Sequence, residues 1–380
     1  MGKRNIPSIE QVEKLARQKV YPSVSIYIPA VKAGKETQQN SIRFKNALKK
    51  TESHLLEQTI DKQSVKELLE PGYDILDNSL FWQELDLGMA AFLSPDRFEF
   101  YSVPLEFQEE TVIARRFYTV PLLPLHSENG AFYILDLNLD GVRLFTADRY
   151  SIDEMPLGDC PNTLESFLQY DDQERQQQSH TRRPARTGSR QAVFHGHGVG
   201  TDGINDKKEQ IFRFFTEVDK CVRKSAHNGQ TPLVLFGAEY LHSIYRDAGE
   251  YPSLVENGVR ADTQGMKREE FHRKAWEAVR PSFYQDRDEK VRRLAAGEEY
   301  RQVAKTVPEI VKASNNGRVD TLFLPKNEHV WGQYKIDQDK VVIHDSRQGD
   351  DIELLNEAAG NTLQNGSRNI YLMEKEHIPA

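Results

Sequence analysis

The stretch from residue 194 to residue 203 reads FHGHGVGTDG, and it combines two histidines with four glycines. We call it the His-Gly loop. Imidazole titrates near neutral pH, which suits general acid or base chemistry and also metal binding. Glycine lets a backbone approach a ligand closely and leaves N–H groups able to face a developing oxyanion. Among the segments of this chain, the His-Gly loop is therefore the candidate for chemistry.

The His-Gly loop has two ligand-binding interpretations, and a plain surface loop without a ligand is a further alternative. Gly198 to Gly203 matches the G-x-G-x-x-G pattern of phosphate binding, although no solid strand comes directly before it. His195 and His197 lie two residues apart, so on an extended segment both imidazoles point the same way and favour a metal. Asp202 or Asp136 is then the expected third ligand.

A third interpretation makes the loop an exposed tip that enters the active centre of a partner. One of the two histidines then orients or deprotonates a water, and the glycine backbone stabilises the oxyanion. The expected catalytic residues are His195, Gly196, His197 and Gly198. This interpretation requires neither a metal nor a cofactor.

The flanks of the loop are cationic. Between residues 181 and 230 there are ten Lys or Arg and five acids, a local charge of +5 in a chain of net charge −8, so the remainder carries −13. Such a segment suits contact with a phosphate backbone, although a solvated helix face has the same composition. The expected RNA-binding residues are Arg182, Arg183, Arg186, Arg190, Lys207, Lys208 and Arg213.

The elements that must position these residues follow from hydropathy patterns. Residues 206–224 carry apolar side chains at helical spacing, with Asp206 as the expected N-cap. The helix lies between a hairpin over 131–147 and a fully apolar strand over 233–237, whereas residues 171–190 contain almost nothing apolar.

Similar patterns on both sides predict two more α/β units. The N-terminal pattern predicts a strand, two helices and a hairpin, over 23–29, 37–58, 62–77 and 87–103. The C-terminal pattern predicts helices over 267–296, interrupted at Pro281, over 300–315 and over 352–365, with strands over 317–325, 341–344 and 369–373. We therefore expect an α/β (α+β) protein of three domains: 1–126, 127–262 and 263–380.

Composition limits the class of protein. The chain has 380 residues, too many for one ordinary core, and its excess of acids argues against a nucleic-acid-binding surface over the whole molecule. Cys160 and Cys221 are too few for a disulfide framework, and they indicate a reducing compartment. No apolar run is long enough for a bilayer. We expect a cytoplasmic monomer without membrane contact.

Segments of the middle and last predicted domains resemble a bacterial member of the archaeo-eukaryotic class 1 release factor superfamily, which also contains Pelota. Residues 191–198, QAVFHGHG, followed by the helix from Asp206 to Asp219, resemble the second domain, where a glycine-rich catalytic loop precedes a long helix. Residues 317–323 and 351–366 are similar to the third domain. The Gly-Gly-Gln tripeptide of the family is absent from the loop, and Asn228-Gly229-Gln230 stands after the helix instead.

The resemblance implies a middle domain like ribonuclease H, a C-terminal domain like ribosomal protein L7Ae, and a ribosomal partner with its RNA and peptidyl-tRNA. It implies a role in translation termination or in rescue of stalled ribosomes, with hydrolysis of the peptidyl-tRNA ester through His195 to Gly198. The alternatives are a non-hydrolytic ribosome-binding protein like Pelota and a metal-dependent nuclease built around Asp136.

Overall fold

The structure is a computed structural model that describes residues 5–32, 34–127, 129–169, 201–226, 229–296 and 303–378. Contacts divide the chain into two units, Met1–Glu128 with Asp286–Ala380, and Asn129–Gln285. The division into domains 1–126, 127–262 and 263–380 stays a prediction. No helix in the described residues has both the length and the apolar character that a bilayer span requires.

The described residues form a mixed α/β fold with four sheets, which confirms the predicted fold class at that level. The helices are α1 (Ile9–Arg17), α2 (Gln38–Glu57), α3 (Lys62–Asp74), α4 (Ser79–Gln83), α5 (Pro124–Ser127), α6 (Thr201–Ser225), α7 (Glu239–Ala248), α8 (Arg268–Ala295), α9 (Val307–Asn315) and α10 (Leu354–Gln364). The strands are β1 (Ser23–Pro29), β2 (Gly88–Ser94), β3 (Arg97–Val103), β4 (Glu110–Ala114), β5 (Phe132–Leu137), β6 (Arg143–Ala147), β7 (Ile152–Met155), β8 (Leu233–Gly237), β9 (Val259–Arg260), β10 (Thr321–Pro325), β11 (Trp331–Lys335), β12 (Lys340–His344), β13 (Ile352–Glu353) and β14 (Asn369–Met373).

The first unit has an antiparallel sheet of order β3-β2-β1-β4 near its N-terminus. Helices α2 and α3 cover this sheet with apolar side chains such as Phe44, Leu48 and Leu69, none of which is exposed. The predicted strand over 23–29, the two helices and the hairpin are all present. Strand β4, which the sequence did not predict, pairs with β1 at the edge of the sheet.

The C-terminal part of the same unit contains the parallel pair β10 and β14 and a separate sheet of order β12-β11-β13. Buried polar contacts join it to the N-terminal part. Asn356 accepts the N–H of Thr119 at 2.8 Å and donates to the carbonyl of Phe117 at 2.9 Å. Arg116 and Glu357 form an ion pair of 2.9 Å, also largely buried. Residues more than 230 positions apart thus share one core.

The second unit is built on a five-stranded sheet of order β7-β6-β5-β8-β9. β5, β6 and β7 form an antiparallel meander, whereas β8 and β9 run parallel to β5. β8 is buried along its whole length, as its apolar sequence predicts. Helices α6 and α7 pack against one face of the sheet, and α8 packs against the other.

Three predicted helix boundaries are wrong. α6 begins at Thr201, so Asp206 lies inside the helix and is not its N-cap. α8 continues through Pro281 because a proline removes only one backbone donor, and packing of Trp276 on Phe283 holds the helix on both sides of it. α9 begins only at Val307, where Thr306 and Glu309 form a capping box.

The sequence analysis took Cys160 and Cys221 as a sign of a reducing compartment, but the structure bonds them to each other, so the cysteines do not support that prediction. Cys160 lies after β7 and Cys221 lies on α6, and the structure joins them as a disulfide with 6.1 Å between their Cα atoms. Their separation of 61 residues in the chain hides this pairing from a search for closely spaced cysteine motifs.

Candidate functional site

The His-Gly loop runs into α6, because the structure places its last three residues, 201–203, in the first turn of that helix. The predicted loop is therefore wrong at these three residues, and α6 is the described element nearest in the chain to the candidate chemistry. His195, Gly196, His197 and Gly198 lie outside the described residues, and so do Arg182, Arg183, Arg186 and Arg190. The structure places the remaining predicted RNA-binding residues, Lys207, Lys208 and Arg213, on α6.

An apolar stripe fixes α6 on the sheet of the second unit. Its fully or nearly fully buried members recur at helical spacing: Ile211, Phe214, Phe215, Val218 and Val222. They meet inward side chains of β5 and β8 such as Leu135 and Leu235. The sequence predicted this stripe correctly, and the packing makes α6 a rigid support for whatever precedes it.

A buried polar network adds a second anchor near the end of α6. Asp219 is 1% exposed, and its carboxylate accepts hydrogen bonds from the Tyr245 hydroxyl at 2.9 Å and from the Glu250 N–H at 3.0 Å. Arg223, one turn on, donates to the same carboxylate at 2.9 Å. Burial raises the pKa of Tyr245 well above its usual value, and the Asp219 charge raises it further. Tyr245 thus stays protonated and donates.

The three described cations do not share one face of α6. Lys207 and Lys208 are exposed near the start of the helix, whereas Arg213 is half-buried. At about 100° per residue, Arg213 lies about 140° around the helix axis from Lys208. The lysines therefore make one exposed cationic pair next to the His-Gly loop, and Arg213 belongs to a different side of the helix.

Phe212 is an exposed aromatic side chain that the sequence analysis missed. It is 40% exposed and lies one turn after Lys208, away from the buried stripe. An aromatic ring beside a lysine suits stacking on a nucleic-acid base together with a phosphate contact. The sequence already indicated that Phe212 is exposed, because it does not follow the helical spacing of the buried residues Ile211 and Phe215.

Asp136, the carboxylate that the nuclease alternative needs, is engaged by neighbouring side chains. It lies near the end of β5 and is 1% exposed. Arg143 donates to its Oδ2 at 2.7 Å, and the Thr263 hydroxyl donates to its Oδ1 at 3.0 Å. These partners explain how a carboxylate is tolerated in the core.

The other side chains proposed as metal ligands, His195, His197 and Asp202, are not among those described. Among the side chains that the structure does describe, no three of His, Cys, Asp or Glu come together as a metal site.

Comparison with known proteins connects this unit to a family. No curated protein matches the chain. Two solved structures align over most of it: one described as an archaeal protein, with 15% identity, 98% of this chain and 93% of that chain covered, and a TM-score of 0.25. The other is the archaeal translation termination factor aRF1, with 15% identity, coverages of 97% and 92%, and a TM-score of 0.23. Neither superposition is close enough to assign the fold.

Residues 132–281 match the family described as bacterial archaeo-eukaryotic release factor family 7. The matched range begins at the first residue of β5 and runs through α6 into α8, so it contains nearly all of the second unit. The resemblance to the bacterial archaeo-eukaryotic release factors that the sequence motifs predict is thereby confirmed over residues 132–281 of this chain.

Proposed function

We propose that this chain is a cytoplasmic, ribosome-associated protein that acts in translation termination or in rescue of stalled ribosomes. The observation that carries the proposal is the family match over residues 132–281, because that range includes both the His-Gly loop and α6. In this proposal the chain works as a monomer, and its partners are the ribosome, ribosomal RNA and peptidyl-tRNA.

The domain assignments belong to the same proposal. The second unit opens with the hairpin β5 and β6 and adds the parallel strands β8 and β9 beside β5, an order that supports a middle domain like ribonuclease H. A C-terminal domain like L7Ae is supported by helices α9 and α10 beside the parallel pair β10 and β14.

The proposed reaction is hydrolysis of the ester between the nascent peptide and tRNA. His195 or His197 takes a proton from a water as the water oxygen attacks the ester carbonyl carbon. N–H groups of Gly196 and Gly198 stabilise the oxyanion. When the intermediate collapses, the bond to the ribose oxygen breaks and the proton passes from the imidazole to that oxygen. The products are a free tRNA hydroxyl and a peptide carboxylic acid, which releases the second proton of the water to solvent.

Rigid mounting of α6 supports this assignment. A loop that must place one imidazole and a water within hydrogen-bonding distance of an ester requires a firm base, since small displacements cost large factors in rate. The apolar stripe of α6 and the Asp219 network provide such a base. Lys207 and Lys208, with the four arginines before the loop, are the proposed contacts to ribosomal RNA.

A second candidate function is ribosome binding without hydrolysis, as in Pelota. The observation that favours it is the absence of Gly-Gly-Gln from the loop, where His195-Gly196-His197-Gly198 stands instead. The two candidates share the ribosomal partner and differ only in chemistry, so one assay separates them.

The experiment measures release of labelled peptide from stalled ribosomes and from ribosomes with a stop codon in the A site. If the loop hydrolyses the ester, His195→Ala or His197→Ala lowers the release rate by about a hundredfold or more, because that is the usual contribution of a general base. His377→Ala, which removes an exposed histidine outside α2 and α6, serves as the matched control and keeps the wild-type rate.

Binding is measured in parallel by co-sedimentation with ribosomes at low salt. Wild-type protein that binds ribosomes but never releases peptide selects the non-hydrolytic candidate. Wild-type protein that fails to co-sediment even at low salt contradicts the ribosomal proposal, since phosphate contacts are strongest under that condition.

A further inference from the structure

Helix α2 carries a run of cations along its first four turns. Residues 38–51 contain Arg43, Lys45, Lys49 and Lys50 but no Asp or Glu, although acids outnumber bases 58 to 50 over the whole chain. The acids of α2, Glu52 and Glu57, lie in its last two turns, and Glu52 accepts a hydrogen bond from the Tyr73 hydroxyl at 3.0 Å. α2 lies in the first unit and outside the range that matches the release-factor family. Neither the family match nor the predicted site accounts for this run.

The buried side of α2 determines which residues face outward. Phe44, Leu48 and Leu55 are not exposed at all, and they pack into the core under the sheet of the first unit. Asn40, also buried, accepts the N–H of Val31 and donates to its carbonyl, which fixes the rotation of the helix. The opposite side is exposed, and we call it the α2 cationic face; its residues are Gln38, Gln39, Ile42, Lys45, Asn46, Lys49, Lys50, Ser53, Leu56 and, at the end of the helix, Glu57.

Among the residues that the structure describes, the lysines of this face form no ion pair with an acid. Arg43, at the margin, forms an ion pair with Glu109 at 3.1 Å. None of the described carboxylates pairs with Lys45, Lys49 or Lys50. Lys45 and Lys49 are also one helical turn apart, a spacing at which like charges repel and destabilise a helix.

Helices α6 and α8 show a different arrangement. Four of their cations pair with acids three or four residues away: Lys220 with Glu217, Arg273 with Glu277, Lys274 with Glu270, and Lys290 with Asp286. Lys45 and Lys49 form no such pair, and an external polyanion that lies along α2 relieves their repulsion.

The remaining side chains of the face favour RNA over a lipid surface. Gln38, Asn46 and Ser53 lie among the lysines, and amide and hydroxyl groups bond to phosphate, sugar and base edges. A helix that lies in a membrane interface buries a broad apolar face, whereas the exposed large apolar side chains of α2 are Ile42 and Leu56, about four turns apart. We propose that the α2 cationic face binds the phosphate backbone of RNA, as a second RNA contact separate from α6. Only the identity of that RNA as ribosomal rests on the proposed function.

The test compares two matched variants of the full chain. K45Q/K49Q removes two like-charged neighbours from the α2 cationic face. K335Q/K340Q removes two exposed lysines that lie opposite each other on β11 and β12, so the change in net charge is the same. Glutamine preserves helix propensity on α2, and circular dichroism melting verifies that both variants are folded. If the double variant melts early, K49Q alone is used.

The probe is a labelled RNA duplex of about 24 base pairs, with affinity measured by fluorescence anisotropy from about 50 to about 200 mM KCl. We expect K45Q/K49Q to bind at least about fivefold more weakly at the lowest salt, and the slope of log affinity against log salt to flatten by about 2. K335Q/K340Q is expected to stay within about twofold of wild type.

Unchanged affinity and slope for K45Q/K49Q overturn the proposal, as does an equal loss for K335Q/K340Q, which shows only the effect of net charge. Vesicles with anionic lipid provide the alternative polyanion. Vesicle binding that depends on Lys45 and Lys49, with duplex binding unaffected, also overturns it.

Ribosome co-sedimentation separates this inference from the proposed function. Wild type that binds the duplex through Lys45 and Lys49 but not ribosomes leaves the α2 cationic face standing and contradicts the ribosomal role. If wild type sediments with ribosomes but K45Q/K49Q binds the duplex as tightly as wild type, the ribosomal role is supported and the α2 cationic face is contradicted.

Discussion

Asp219 is the buried polar residue of α6 that connects this helix to Tyr245 on α7. Its two carboxylate oxygens accept from Tyr245, Glu250 and Arg223 in a site that is 1% exposed. Asp219→Ala leaves the buried Tyr245 hydroxyl and the Glu250 N–H without their acceptor, so we expect the free energy of unfolding to fall by about 2–4 kcal/mol. Urea unfolding measures this loss.

The control for Asp219 is Asp206→Ala, which removes an exposed aspartate from the same helix. A surface substitution of this kind changes stability by no more than about 0.5 kcal/mol. Equal stabilities of the two variants contradict the anchoring role of Asp219. In the sequence both residues are acids of a charged helix, and the apolar stripe alone does not reveal that one of them is buried against α7.

At the scale of elements, the disulfide between Cys160 and Cys221 ties the segment after β7 to α6. Its Cα atoms are 6.1 Å apart, within the range that a disulfide spans. Because the bond closes a loop with a sequence separation of 61, reduction is expected to lower the free energy of unfolding by about 4 kcal/mol through the entropy of the unfolded chain. Urea unfolding with and without a reductant measures the difference.

The double variant Cys160→Ser/Cys221→Ser is the control for reduction, and its stability is expected to be the same with and without reductant. The disulfide is contradicted if alkylation of the native, unreduced protein modifies two thiols per chain and the reductant has no effect on wild type. Half-burial of both cysteines leaves them accessible to a small reductant.

Elements with strong local patterns were predictable. The alternation in β1, the apolar run of β8 and the stripe of α6 each specify one element, because the buried positions follow its own geometric period. The sequence did not predict β11, because Gly332 interrupts its pattern of side chains. The structure requires a glycine there, since a side chain would clash with Val342 and Leu354. The capping box Thr306 to Glu309 was a readable start signal for α9, and the earlier start at residue 300 was wrong.

At the scale of the whole molecule, His329 and Glu110 connect the two chain segments of the first unit. His329 Nε2 lies 2.5 Å from Glu110 Oε1, and Tyr118 and the buried Glu353 also face the imidazole. The hydrogen bond with Glu110 raises the pKa of His329 above its usual 6.5, and burial raises the pKa of Glu353.

A histidine whose pKa is raised by folding stabilises the folded state fully below its unfolded pKa, and this contribution disappears as pH rises through the folded value. We expect wild type to exceed His329→Gln in stability by about 1–2 kcal/mol near pH 6, and the difference to shrink toward about pH 9. Urea unfolding across this range measures it. Glu110→Gln is expected to remove the same pH dependence, and a difference that stays constant or grows with pH contradicts the pairing.

The sequence by itself determined the local character of this protein: which segments are helices or strands, where cations gather and which loop carries histidines among glycines. Those properties depend on residues close together in the chain, so periodicity and composition reveal them. Tertiary structure alone decided that Asp219 and Asp136 are buried and satisfied, that Cys160 meets Cys221, and that His329 meets Glu110. Each of these pairings brings together residues distant in sequence, and their energies arise from burial and geometry that no local pattern encodes.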